Sequence, residues 1–349
     1  SAISLGIVAA SSAIPIMLFN FIGGIISDKY NIRRILFFLS FLIFLILIYL
    51  GYLDYSGVVQ PYHVYICSIL LGILLGIDFP ARNAYFPKII PEKYLRSGIS
   101  LNGATMAGSS VVVPTIGGFL IAEYGSFIGI LLSAIGYLVM SISTFFIPSV
   151  SIPKDNSSNL SFFTEGFSYI VKNELFYCLI LLTYCTNFFI FGYIQALPAF
   201  IDVFNGTPRE LGLMFSCAGL GALSGLLTAG KVNITKNLGA IILSSASFFS
   251  VLIILVSLVG VGIMPTYVPF TNILLIFPLA TIGHFGNGFY MLSTYAVIQS
   301  KVPENIRGRV MGIVAIHISI GVLGGLWVGG IGEIFNMRVG VGSGPIICI

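Results

Sequence analysis

Charge is scarce in this sequence. Only 8% of the 349 residues are Asp, Glu, Lys or Arg, while 57% are hydrophobic and the mean hydropathy is +1.04. Soluble domains carry about 25% charged residues, so a water-soluble globule is excluded. Histidine is limited to His63, His284 and His317. The five cysteines, Cys67, Cys178, Cys185, Cys217 and Cys348, show no C-x-x-C spacing and lie mostly inside apolar runs. They read as small packing residues rather than metal ligands or disulfide partners. No G-x-S-x-G, H-E-x-x-H or P-loop pattern is present, and His63 lies at the opposite membrane edge from the other two histidines. The chain is therefore expected not to be an enzyme, to hold no metal or cofactor, and to bind no nucleic acid. The net charge of +4 matters only through its distribution.

Continuous apolar runs of about twenty residues fill most of the chain, which argues for membrane helices and against the short alternating segments of a transmembrane barrel. Ten spans are expected, at residues 3–26, 34–53, 63–86, 97–122, 126–147, 174–201, 209–230, 237–261, 269–298 and 310–334. The connections are short, so successive helices are antiparallel. With this count, fourteen of the sixteen Lys and Arg fall on one side and only Arg209 and Arg338 on the other. Basic loops stay inside, which makes the first loop cytoplasmic and puts Ser1 outside. A preceding span is expected from that placement. Residues 148–173 form the longest loop. Its polar stretch from Pro153 to Asn159 reads as a linker, and Leu160, Phe163, Phe167, Ile170 and Val171 recur at helical spacing. An amphipathic helix on the membrane face is expected there, with an extension of the next span as the alternative.

The two halves repeat each other in the same orientation. Ser4-Leu5-Gly6-Ile7 matches Glu210-Leu211-Gly212-Leu213, and Gly24 matches Gly230. Ile90-Pro91-Glu92 matches Val302-Pro303-Glu304, and Gly117-Gly118 matches Gly329-Gly330. Parallel repeats joined by a cytoplasmic loop are a pattern of transporters whose halves move about a central site. Between the first two spans stands Gly23-Gly24-Ile25-Ile26-Ser27-Asp28-Lys29-Tyr30-Asn31-Ile32-Arg33-Arg34, a knot of charge that must lie at a membrane edge.

That stretch resembles the loop signature G-x-x-x-D-R/K-x-G-R-R/K of the major facilitator superfamily. Gly24, Asp28, Lys29 and Arg33 fit; Asn31 stands for the second Gly and is read as tolerating a left-handed backbone. Asp78-Phe79-Pro80-Ala81-Arg82-Asn83-Ala84, Leu101-Asn102, Pro114-Thr115-Ile116-Gly117-Gly118, Thr164-Glu165-Gly166 and Val302 to Val310 resemble the branch containing enterobactin exporters and macrolide efflux proteins. The resemblance implies an all-α polytopic major facilitator fold of two pseudo-symmetric helical bundles, with about ten of twelve spans present. The first family helix would be missing and the last would barely begin at Gly342. The bundles would be residues 1–147 and 174–349, joined by the 148–173 loop.

It also implies roles. Gly24, Asp28, Lys29, Arg33 and Arg34 would form a cytoplasmic gate with Asp78, Arg82, Arg307 and Arg309. Asp28 would face the N-terminus of the 310–334 helix. Asp78, near the cytoplasmic end of its span and otherwise an unpaired charge near lipid, is read on that ground as a second acid pairing with Arg33 or Arg34. Ser109, Pro114, Gly117 and Gly118 resemble an antiporter signature, with Val113 in place of its Gly, and packing of small residues at a helix interface stands as the alternative to a coupling role. Asn187, Gln195, His284, Asn287 and Tyr290 are polar groups deep in the first and fourth spans of the second half, which border the family's cavity. Each would contact substrate or else bond a neighbouring helix. Phe188, Phe189, Tyr193, Phe285 and Phe289 add aromatic surface suited to an apolar or amphipathic ligand. His284 is the titratable candidate in mid-span, and His317 reads as a packed polar residue. The expected protein is a monomeric, multi-pass cell-membrane exporter of a drug- or siderophore-like small molecule, exchanging it for protons by alternating access. A facilitated metabolite importer, or a receptor or scaffold on the same fold, stands as the alternative.

Overall fold

The computed structural model describes residues 2–29, 31–146, 159–231, 238–259 and 273–349. Within them some side chains, including those of Gly24, Asp28, Lys29, Arg307 and Arg309, lie outside the described set. The described residues form helices and connections, without strands. In chain order the helices are α1 (Ala2–Lys29), α2 (Ile32–Tyr55), α3 (Pro61–Ile89), α4 (Leu95–Tyr124), α5 (Ser126–Ser143), α6 (Asn159–Lys172) and α7 (Glu174–Cys185). They continue as α8 (Tyr193–Asp202), α9 (Pro208–Lys231), α10 (Leu238–Leu258), α11 (Ile273–Lys301), α12 (Glu304–Ala315), α13 (His317–Ile334) and α14 (Met337–Ile347).

Every expected span is helical over nearly all of its described residues, with a break at Ile316. Among the described residues, seven stretches are long and apolar enough to cross a membrane: Ile32–Tyr55, Pro61–Arg82, Ser126–Phe146, Glu174–Asp202, Pro208–Lys231, Gly239–Leu258 and Val310–Ile334. Shorter apolar stretches occupy Ser4–Asn20 and Val111–Tyr124, and the 29-residue α11 completes the set. The last helix begins at Met337 rather than near Gly342, because Asn336 caps it by accepting a hydrogen bond from the Val339 N–H at 2.9 Å.

The chain divides into two compact units. One comprises Ile7–Met106 and Leu120–Ser157; the other comprises Ser1–Gly6, Ala107–Phe119 and Ser158–Ile349. In the first, α2 packs against α3 and α5. It buries Leu36, Leu39, Ser40 and Ile43 and exposes Phe38, Leu42, Leu45 and Tyr49, the apolar exterior that lipid solvates. The turn between α1 and α2 is short, and Asn31 does not adopt the left-handed conformation. Its φ of −66° and ψ of 104° are those of an N-cap, and its side chain accepts from the Arg34 N–H. The short polar side chain serves as a cap here, which needs an extended backbone.

In the second unit, α9 starts on a capping box. Glu210 accepts from the Thr207 N–H at 2.7 Å and from the Thr207 hydroxyl, and Pro208 fills the first helical position. Gly221 and Gly225, one turn apart, then bring α9 onto α11. A Cβ on Gly225 would lie 2.0 Å from the Phe285 carbonyl oxygen and one on Gly221 2.1 Å from that of Thr281, so only glycine fits. Residues 159–172 form a separate helix rather than an extension of the next span, because Asn173 is extended (ψ 104°) and breaks α6 from α7. Ile170 of α6 is buried against Phe176, while Phe167 and Val171 are exposed.

Two expected single spans are interrupted. The 174–201 span contains a π-helical turn at Thr186–Phe191 between α7 and α8. The Thr183 hydroxyl donates to the Leu179 carbonyl, that of Thr186 to Leu182 and Thr183, and the Asn187 amide to Thr183. Side chains competing for carbonyls of the preceding turn loosen the regular ladder. The last long span starts earlier than expected, at Glu304, and breaks at Ile316. There the His317 ring takes the Val314 carbonyl at 2.7 Å.

These irregular points coincide with a division of the core. One cluster gathers Ile190, Tyr193, Phe200, Met214, Phe249 and Val328. Another gathers Phe176, Ile180, Ile242, Tyr290, Ile298 and Val314. Along α7–α8, α11 and α12–α13, buried polar residues separate the two: Thr183, Thr186 and Asn187 on the first, His284 on the second, His317 and Ser319 on the third.

Candidate functional site

Asp78 sits a little past the middle of α3 and is only 5% exposed. A buried carboxylate needs a partner, and the helix supplies one a turn later. Arg82 Nε donates to Asp78 Oδ2 at 2.5 Å, and Arg82 Nη2 donates to Ser40 Oγ of α2 at 3.0 Å. The expected pairing of Asp78 with Arg33 or Arg34 is therefore corrected. Arg33 instead donates from Nε to the Thr144 carbonyl at 2.7 Å and from Nη2 to that of Phe145. Those carbonyls belong to the 3-10 turn Thr144–Phe146 that follows α5, where the helix dipole and the unfilled acceptors favour a cation. Arg34 is exposed. Gly24, Asp28 and Lys29 fall on the last turns of α1, and Arg307 and Arg309 on α12; the contacts expected of their side chains lie outside the described residues.

The four residues of the antiporter-like stretch on α4 separate in the structure. Ser109 is exposed, and a Cβ on Gly117 would meet nothing within 4 Å. Gly118 is buried against α9, where its Cβ would fall 2.5 Å from the Pro208 carbonyl and 2.9 Å from Gly212 Cα. The Pro114 carbonyl lies under Gly212 in turn. Beside this contact, Thr115 bonds Ser216, whose hydroxyl also donates to the Val111 carbonyl at 2.5 Å. Ser216 was not among the sequence candidates, since one serine in an apolar helix carries no signal of its own. Gly6 makes an equivalent approach to Gly325 and Leu326 of α13. Gly6 and Gly212 are the matched glycines of the sequence repeat.

The five polar residues of the second half also separate. His284 is 2% exposed, ringed by Phe191, Tyr193 and Phe249, with Nδ1 2.9 Å from the Ala280 carbonyl and Nε2 3.4 Å from Tyr193 Oη. Tyr290 is equally buried, its hydroxyl 3.2 Å from those of Thr183 and Thr186. Asn187 is committed to Thr183 on its own helix. These three are internal fasteners.

Gln195 and Asn287 differ. Both are half-buried, and among the described residues neither side-chain amide has a hydrogen-bond partner. Asn287 lies on the side of α11 opposite the exposed Ile282. Gln195 packs its stem on Gly325 of α13. They are the two candidates that retain donors and acceptors for a ligand. Among the described residues no group of three or more His, Cys, Asp or Glu could hold a metal ion.

Comparison with known proteins agrees with this architecture. A family model described as Major Facilitator Superfamily matches residues 1–326. The uncharacterized MFS-type transporter YfiS of Bacillus subtilis is 22% identical over 362 residues, covering 100% of this chain and 82% of that protein. The staphyloferrin A transporter of Staphylococcus aureus is 25% identical over 343 residues, covering 97% and 83%. The enterobactin exporter EntS of Shigella boydii is 23% identical over 320 residues, covering 90% and 73%. Among solved structures, a mutant of the nucleoside transporter NupG superposes with a TM-score of 0.73 at 14% identity, over 100% of this chain and 89% of that one. A bacterial homologue of ferroportin in an inward-facing state gives 0.66 at 14% identity, over 100% and 91%. A polytopic helical chain with paired glycine crossings, matched by the family model over residues 1–326, is a multi-pass membrane transporter, and it belongs to the Major Facilitator Superfamily.

Proposed function

We propose that this protein exports a hydrophobic or amphipathic small molecule across the cell membrane by alternating access, in exchange for protons. Gln195 and Asn287 would contact the substrate. The observation that carries this reading is their pair of half-buried amides, which have no hydrogen-bond partner among the described residues, while the other polar candidates of the second half are internally bonded. Such amides would be costly against lipid and are suited to the carbonyl, hydroxyl or amide groups of an amphipathic molecule. The direction of transport is supported by relatives whose names denote siderophore export and transport. Residues 1–147 and 174–349 would be the two moving bundles, the 148–173 segment their cytoplasmic link, and the protein a monomer in lipid.

Proton exchange fits a chain without a P-loop. The latch belongs to the same reading: Asp28, Lys29 and Arg34 at the α1–α2 turn, with Arg307 and Arg309 on α12, would hold the cytoplasmic side when the cavity faces outward. The test is efflux of Hoechst 33342 from everted vesicles on imposing a proton gradient. Gradient-dependent movement that Gln195→Ala and Asn287→Ala slow without loss of protein supports the reading. Dye movement that ignores both substitutions and the gradient contradicts it.

A further inference from the structure

We infer that the substrate held by Gln195 and Asn287 carries no net charge, and that ammonium and carboxylate analogues of it are refused. This rests on the substrate contacts proposed above and adds the chemical class they select. The second half keeps its charge at helix ends. Glu174 and Asp202 bound the α7–α8 span, Glu210 and Lys231 bound α9, and Arg309 and Glu333 bound the last long span; no residue between the members of each pair is Asp, Glu, Lys or Arg. Lys236 and Lys301 enclose α10 and α11 in one uncharged run. Glu174, Asp202, Lys231, Lys301 and Glu333 are exposed. At the other basic ends Arg209 lies 5.4 Å over the Phe119 ring and Arg338 5.3 Å over that of Phe204, while Glu210 is engaged with Thr207.

Between those ends the polar groups are neutral and mostly committed. Ser224, Ser250, Thr281 and Ser293 return their hydroxyls to carbonyls of their own helices. His284 and His317 are buried, with Nδ1 at 2.9 and 2.7 Å from the Ala280 and Val314 carbonyls. Gln195 and Asn287 are left to recognise a ligand, each with one acceptor oxygen and two N–H donors. Two primary amides match a molecule that both accepts and donates, such as a sulfonamide, lactam or hydroxy ketone. A charged group entering from water would meet amide dipoles without a counter-charge, and an unpaired charge is the costliest group to bury. Rings on the same helices, among them Phe188 and Phe285, attract a cation through their faces, but a ring quadrupole is a weaker partner than a carboxylate. Selection therefore works by exclusion: the site fits the neutral molecule modestly and penalises its charged analogues.

The experiment is a fluorescence titration of the purified full chain in zwitterionic lipid nanodiscs near neutral pH, referenced to nanodiscs without protein. Three probes share one fluorophore and differ in charge: N-butyl dansylamide is neutral, dansylcadaverine ends in an ammonium group and dansylglycine in a carboxylate. The neutral probe should bind at least about tenfold more tightly than either charged one. Gln195→Glu puts a carboxylate into the site and should turn the preference toward dansylcadaverine. A wild type that binds a charged probe as tightly as the neutral one overturns the inference, and so does a folded Gln195→Glu that leaves the order unchanged. If Gln195→Glu fails to insert, the order in the wild type and in Asn287→Asp decides. Neutral-probe binding that the Gln195→Ala, Asn287→Ala double variant leaves untouched counts against the substrate contacts themselves. Binding of none of the three by a wild type that still moves Hoechst 33342 overturns the inference and leaves the export reading standing; without dye movement both fall.

Discussion

The Tyr184 hydroxyl donates to the main-chain carbonyl of Ile313 across 2.6 Å. It ties the turn before the π-helical Thr186–Phe191 segment to the turn before the break at Ile316, so the two irregular points of the second unit are bonded to each other. Gly324 sits on the Phe188 carbonyl a little further along, where a Cβ would come within 2.0 Å. Backbone irregularities held by side-chain bonds and glycine contacts are built-in features, and they place the change of core at one level of three helices.

Tyr184→Phe keeps the ring and removes that bond. The Ile313 carbonyl retains the Ile316 N–H at 3.1 Å, so the loss should be the net worth of one hydrogen bond, about 1 kcal/mol. Thermal unfolding in detergent checks it. An unchanged midpoint would mean that the break is held by packing alone.

The glycines divide into those that touch and those that do not. Gly225→Ala forces a methyl onto the Phe285 carbonyl and should cost about 1–3 kcal/mol through overpacking of α9 on α11. Gly117→Ala has open space around it and should change stability by no more than about 0.5 kcal/mol. Their order in a stability series is the check. A damaging Gly117→Ala would point to a need for glycine that the static contacts do not contain.

Asn31 gives a sharp test of the turn. As an N-cap, it should be replaceable by Ser with little effect, while Asn31→Ala costs about 1 kcal/mol. Were its backbone left-handed, Asn31→Gly would be the stabilising change instead. Unfolding midpoints of the three variants separate the two accounts.

Arg33 closes α5 through the Thr144 and Phe145 carbonyls. Arg33→Gln should lower stability by about 1 kcal/mol, with the difference shrinking as salt is added, because the cation acts on a helix C-terminus at a membrane edge. Stability series at low and high ionic strength read this out. A penalty of the same size at both would assign it to hydrogen-bond geometry rather than charge.

Much of this fold was legible in the sequence because lipid imposes a coarse rule. Apolar runs of spanning length, with basic residues gathered in alternate loops, placed all ten helices, and the matched Gly6 and Gly212 fell at matching helix contacts. What stayed hidden is local. The π-turn depends on Thr183, Thr186 and Asn187 bonding carbonyls of their own helix, a choice that helical spacing does not reveal. The partner of Asp78 was misjudged because its place near the cytoplasmic end of a span pointed to Arg33 or Arg34 in the first loop, whereas the α3 helix itself sets Arg82 four residues on, one turn away. His284 and Tyr290 could not be told from Gln195 and Asn287 by polarity. Only the packing around them shows which side chains lack a bond among the described residues.

The account stands most directly on coupled flux in proteoliposomes, with internal pH and Hoechst 33342 followed together for the wild type and for the Gln195→Ala, Asn287→Ala double variant. Dye leaving against its gradient while protons enter, with both fluxes slowed in parallel by the double variant, is the predicted result. Dye movement with no proton flux, or proton flux that the double variant leaves untouched, would contradict it.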